Sequence, residues 1–152
     1  MAGAKRAAPD WRPINPPEAL GPRDGALPAY VANGMIGLRI REMALASGMC
    51  LVNGVVGEDP ERRIEAISPV PYPLEADVGV NGVWLSDQPW CVTDLAQAYD
   101  FATGELTSRW RARRGGVDIA FDTVSFASRT APTVVLQELT VHPDARCHVG
   151  GR

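Results

Sequence analysis

Long apolar runs are missing from this sequence. The longest stretch without a charged residue, Met43 to Gly57, is interrupted by Ser47, Gly48, Asn53 and Gly54, and it falls short of the roughly 18 residues a membrane helix needs. No membrane-spanning segment is expected. The N-terminus lacks the apolar core of a signal peptide, because Lys5 and Arg6 are followed by Pro9, Asp10, Arg12 and Pro13. Cysteine is scarce: Cys50, Cys91 and Cys147 form no Cys-x-x-Cys pair. An odd count without paired spacing argues against a disulfide framework and points to a reducing, cytoplasmic setting. Excess charge of either sign is absent as well. A net charge of -3, with 22% charged and 45% apolar residues, is ordinary globular composition and excludes both a disordered chain and a dedicated nucleic-acid binder. Neither a Walker-type loop nor a Gly-x-Ser-x-Gly elbow occurs, and Asn33-Gly34-Met35-Ile36-Gly37 lacks the spacing and the βαβ context of a nucleotide loop. No internal repeat is visible.

What is present is a chain of 152 residues, enough for one domain that buries roughly 68–70% of its unfolded surface. Its 15 glycines and 13 prolines, about 18% against a usual share of roughly 12%, favour many turns over long helices. Residues 1–26 hold five prolines and little periodic hydrophobicity, and read as an extended N-terminal arm. From Leu27 onward, short apolar runs alternate with turn residues, which predicts a mainly β, antiparallel sandwich or barrel. Val78 to Leu85 carries Asn81-Gly82 at its centre, the pair a type I′ turn requires. Strands are expected at Met35 to Ile40, Met49 to Val52, Arg63 to Ile67, around Trp110, from Val117 onward and at Thr133 to His142. The run from Val117 shifts from Val117, Ile119 and Phe121 to Val124 and Phe126, which predicts a β-bulge near Asp122 or Thr123. Val92 to Ala98 is expected as a short helix. Cys147-His148-Val149 opens a further strand that Gly150-Gly151-Arg152 leaves unfinished. The expectation is a partial sandwich over residues 27–152 whose open edge favours self-association.

Several clusters carry side chains with chemical capacity. Glu58, Asp59, Glu61 and Glu65 crowd one segment, but the two carboxyl groups of a glycosidase must face each other across a substrate, so a solvated turn is the reading here. Arg109, Arg111 and Arg113 alternate with Trp110 and Ala112 and read as one solvated or interdomain strand face. His142, Cys147 and His148 would supply three metal ligands, without the fourth a structural zinc takes; no metal and no cofactor are expected. Trp84 and Trp90 flank a loop and are candidates to stack on a sugar ring, with core packing as the alternative. The Asn33 amide can both donate to and accept from sugar hydroxyls, with a turn role as the alternative.

The segment Leu27-Pro-Ala-Tyr-Val-Ala-Asn33-Gly34-Met-Ile-Gly37-Leu-Arg39 resembles the opening motif of family 65 glycoside hydrolases and phosphorylases, which include maltose, trehalose and kojibiose phosphorylases and acid trehalases. Val52-Asn53-Gly54, Tyr99-Asp100-Phe101, Gly104-Glu-Leu-Thr107-Ser-Arg109-Trp110 and Phe126-Ala-Ser128-Arg129 follow in the order and spacing of that family's N-terminal domain. The resemblance runs from about Leu27 to Val141. Met35 stands where many phosphorylases place an aromatic, and the wording is similar to the trehalase-like branch. The resemblance implies a β-sandwich that precedes a helical linker and an (α/α)6 barrel holding the catalytic glutamate. Neither is encoded here, so no residue of this chain is expected to be catalytic. The implied partner is that barrel, with an α-glucoside as substrate; neither nucleic acid nor membrane is expected as a partner. The alternatives are a self-contained carbohydrate-binding or protein-interaction module, and a translated fragment without an independent role.

Overall fold

A computed structural model describes residues 13–15, 29–87, 91–114 and 116–152, with backbone alone for 13–15, 91 and 114. Among the described residues there is no helix, and hence none long and apolar enough to cross a membrane. The strands are β1 (Pro13–Asn15), β2 (Ala29–Ala32), β3 (Ile36–Ile40), β4 (Met49–Glu58), β5 (Glu65–Val70), β6 (Val78–Val80), β7 (Val83–Trp84), β8 (Cys91–Asp100), β9 (Glu105–Arg114), β10 (Val117–Ala127), β11 (Val135–Pro143) and β12 (Val149–Gly151). They form three antiparallel sheets, in the orders β1-β8-β9-β10-β11, β2-β3-β4-β5 and β12-β6-β7. The mainly β, sandwich-like reading of the sequence holds.

Strand periodicity explains the layering. In β2 and β3, Ala29, Val31, Leu38 and Ile40 are buried while Tyr30, Ala32 and Arg39 face out. In β9 and β10, Leu106, Trp110, Ala112, Ile119 and Phe121 point the other way into the same core. Trp110 lies directly opposite Phe121 across the β9–β10 ladder, and the two rings stack with centroids 5.2 Å apart and planes 4° apart. An aromatic pair of this kind is worth about 0.5–1.5 kcal/mol beyond its buried area.

Turns fall where the residues allow them. Asn81 and Gly82 take φ values of 50° and 79°, closing the β6–β7 hairpin as a type I′ turn requires. At the β8–β9 turn, Asp100 Oδ1 accepts hydrogen bonds from the N–H groups of Ala102 (2.7 Å) and Thr103 (3.1 Å), and Gly104 supplies φ 78°. The acidic segment is the β4–β5 turn, where Asp59 Oδ1 accepts from the N–H groups of Glu61 and Arg62.

Two expectations are corrected. Val92 to Ala98 belongs to β8, a strand whose register shifts between Thr93 and Ala96, with Asp94 at φ 54°. The extra residue brings Val92 and Leu95, three apart, onto the core, and that spacing mimics a helix in the sequence. The bulge expected in β10 does not exist: the strand pairs without interruption with β9 from Val117 to Ser125 and with β11 from Ile119 to Ala127. Its core face continues through Thr123, Ser125 and Ala127, all buried, while Val124 and Phe126 lie on the opposite, half-buried face. At the C-terminal end, β12 forms the edge of the three-stranded sheet beside β6. β12 pairs antiparallel with it, Asp77 and Arg152 exchange backbone hydrogen bonds (2.9 and 3.1 Å), and Asn81 N–H donates to the His148 carbonyl.

Candidate functional site

The core face of the five-stranded sheet carries a row of polar side chains that fixes the connection between β3 and β4. Gln97 and Ser108 are buried, and Gln97 Nε2 donates to Ser108 Oγ (3.0 Å) and to the carbonyl of Arg41 (2.9 Å). Gln137 Nε2 donates to Ser125 Oγ (3.0 Å) and to the carbonyl of Ala44 (3.3 Å). Two glutamines thus hold a loop whose Ala44 and Leu45 are buried.

That loop forms one wall of a cavity of about 590 Å³. Met43, Leu45, Ala76 and Leu85 make its apolar lining, and Glu75, Asp77, Ser86 and Arg152 bring polar groups to it. Asp77 anchors the polar side: Oδ1 accepts from the N–H groups of Val78 (2.9 Å) and Ser86 (3.3 Å), and Oδ2 accepts from Ser86 Oγ (2.6 Å) and Arg152 Nη2 (3.2 Å). Partial burial pushes the Asp77 pKa up, but the hydrogen bonds from Ser86, Val78 and Arg152 outweigh it and hold the carboxyl below its ordinary range. Asp118, on the outward face of β10, is also held low, by Arg113 and Arg111 at 2.8 and 3.0 Å. Both displaced carboxylates are therefore moved toward permanent ionisation, the opposite of what a general acid requires.

Asn33 sits in the β2–β3 turn, next to Gly34 at φ 91°. Its Oδ1 accepts from the N–H groups of Met35 (3.0 Å) and Ile36 (2.9 Å). Its Nδ2 donates to the carbonyls of Ser128 (2.6 Å) and Pro132 (3.0 Å) in the β10–β11 turn. Two donors and two acceptors are the whole capacity of a side-chain amide, and here all four tie one turn to another. Trp84 lies in β7 against Gly79 and Gly150: a Cβ added at Gly79 would come within 2.9 Å of the indole. The Arg152 guanidinium lies 4.3 Å from the ring centroid, within cation–π range. Trp90 lies outside the described residues.

The basic strand face is an ion-pair ladder. Arg109 bonds Asp122 at 2.6 Å, Arg111 and Arg113 share Asp118, and His142 Nε2 approaches Asp122 at 3.8 Å. These pairs are solvated and contribute little each. Among the described residues, no group of three or more His, Cys, Asp or Glu side chains is arranged to hold a metal ion.

The cavity and its Asp77–Ser86–Arg152 cluster were not foreseen from sequence. The three residues belong to the β5–β6 connection, the end of the β6–β7 hairpin and the segment after β12, and only the pairing of β12 with β6 brings Arg152 to Asp77. Comparison with protein-family models and with curated proteins found no match to this chain.

Proposed function

We propose that this chain is a non-catalytic β-sandwich domain of a family 65 glycoside hydrolase or phosphorylase acting on α-glucosides in carbohydrate metabolism. In this reading its role is to seat a catalytic (α/α)6 barrel carried by the same polypeptide in the cytoplasm. The observation that carries the reading is the outward face of the four-stranded sheet. The register places Tyr30, Leu51, Val56, Ile67 and Pro69 on that face, with Arg39 opposite Tyr30 and the Glu58–Glu65 pair at the far end, and Tyr30, Val56 and Ile67 are 60%, 57% and 63% exposed. An antiparallel sheet face that meets only water is normally polar, whereas exposed apolar side chains rimmed by charged ones are suited to a second layer. Support also comes from the ordered motifs between Leu27 and Val141.

Immunodepletion tests it. Antibody against the purified chain should remove trehalose-, maltose- or kojibiose-cleaving activity from a lysate of the source cells. Activity left intact after complete depletion would contradict the proposal.

One observation favours a second reading, a self-contained carbohydrate-binding module. The cavity of about 590 Å³ lies within the size range of small-molecule sites. Calorimetric titration of the purified chain with trehalose and maltose distinguishes the two readings: saturable binding lost in Ser86→Ala supports the module, and no binding opposes it.

A further inference from the structure

Every sheet here has edges, and most are blunted in ways natural sheets use. Among the described residues β1 and β12 are three residues long, β2 is four, β7 is two, and β5 carries Pro69. β11 is different. It pairs with β10 through nine residues without a bulge, has no other neighbour among the described residues, and contains neither Lys nor Arg, with its sole proline at the far end.

The hydrogen-bond parity of this edge can be read directly. The ladder continues at Ser128 N–H to the Val134 carbonyl (3.0 Å) and at Asp144 N–H to the Asp118 carbonyl (2.9 Å). Both bonds fall on even-numbered residues of the β11 side, so even residues turn their backbone groups toward β10. The odd ones, Val135, Gln137, Leu139 and Val141, turn theirs to the open edge. Side chains follow the same alternation: Leu136, Glu138, Thr140 and His142 are exposed, while Leu139 and Val141 pack partly against the core and remain half-buried.

We propose that β11 is taken by β11 of a second copy of this chain, in an antiparallel two-fold pairing centred on Leu139 that joins two five-stranded sheets into one. The inference is independent of the family reading. Centring on Leu139 overlaps the full strand and sets the outward-turned odd residues against one another, as the ladder demands. It places Glu138 opposite Thr140 of the second copy and Leu136 opposite His142 of the second copy, so no like charges meet. Shifting the centre to Glu138 would oppose that carboxylate to itself, which is unfavourable. The same pairing would extend the half-covered Leu139 and Val141 row across the junction.

Sedimentation velocity on the purified chain, from micromolar to near-millimolar concentration, tests this. A reversible monomer–dimer equilibrium is expected. Thr140→Glu sets a carboxylate against Glu138 of the second copy at each of the two symmetry-related positions and should weaken the dimer about tenfold, while Thr140→Lys should tighten it. Thr140 also faces Asp122 within its own chain, so the decisive variant is Glu138→Lys combined with Thr140→Glu. It keeps that internal contact but restores opposite charges across the junction, and should recover dimerisation. A monomer throughout the range, or a dimer indifferent to these exchanges, would overturn the proposal.

Discussion

Asn33 shows how much one side chain can commit to the fold. Its amide closes the β2–β3 turn and reaches across to Ser128 and Pro132. Asn33→Ala should therefore destabilise the protein by about 1–2 kcal/mol, a loss a thermal melt would register as several degrees. The turn role was legible from Asn-Gly, but the bond to a carbonyl 95 residues away was not, since it depends on how two hairpins meet. Tyr72 makes the opposite case. Its hydroxyl is buried without a partner among the described residues, and burial, with smaller effects from Cys50 and Glu75, pushes its pKa up to about 12. The unfolded phenol titrates near 10, so Tyr72 contributes stability that is complete below about pH 10 and is lost as pH rises through 12. Tyr72→Phe should remove that alkaline component. At neutral pH it should be neutral or stabilising by up to about 1 kcal/mol, as denaturant titrations at pH 7 and above pH 10 would show.

At the scale of elements, the β6–β7 hairpin is the part most completely written in the sequence, because a type I′ turn has few residue solutions. A Cβ at Gly82 would meet nothing within 4 Å, so the cost of Gly82→Val is conformational alone. A β-branched residue forced to φ 79° should lose about 1–2 kcal/mol, and an unchanged melting temperature would count against the hairpin. β8 and β10 depart from their sequence patterns for complementary reasons. In β8 a bulge at Asp94 breaks period two and imitates a helical spacing. In β10 the strand is regular, but its core positions pass from Phe121 to Thr123 and Ser125, and hydroxyl residues concealed the unbroken face. Their burial depends on polar partners, Gln137 for Ser125 and the Ser108 carbonyl for Thr123, which lie on other strands and were invisible in a one-dimensional pattern.

For the whole molecule, the β class was legible from turn density and alternation, while the cavity was not, because Asp77, Ser86 and Arg152 converge only through the three-stranded sheet. The family reading rests on ordered motifs and on exposed apolar side chains of a sheet face suited to a second layer. It predicts that the purified chain releases neither glucose nor glucose phosphate from trehalose, maltose or kojibiose. Copurifying activity that disappears in a folded Glu61→Ala variant would contradict this. The most direct measurement of the central claim is the size of the polypeptide that carries these residues in its own cells, by immunoblot with antibody to the purified chain. A species several times larger than 16.3 kDa is the expected result, large enough to include an (α/α)6 barrel. A single band at 16.3 kDa would contradict it.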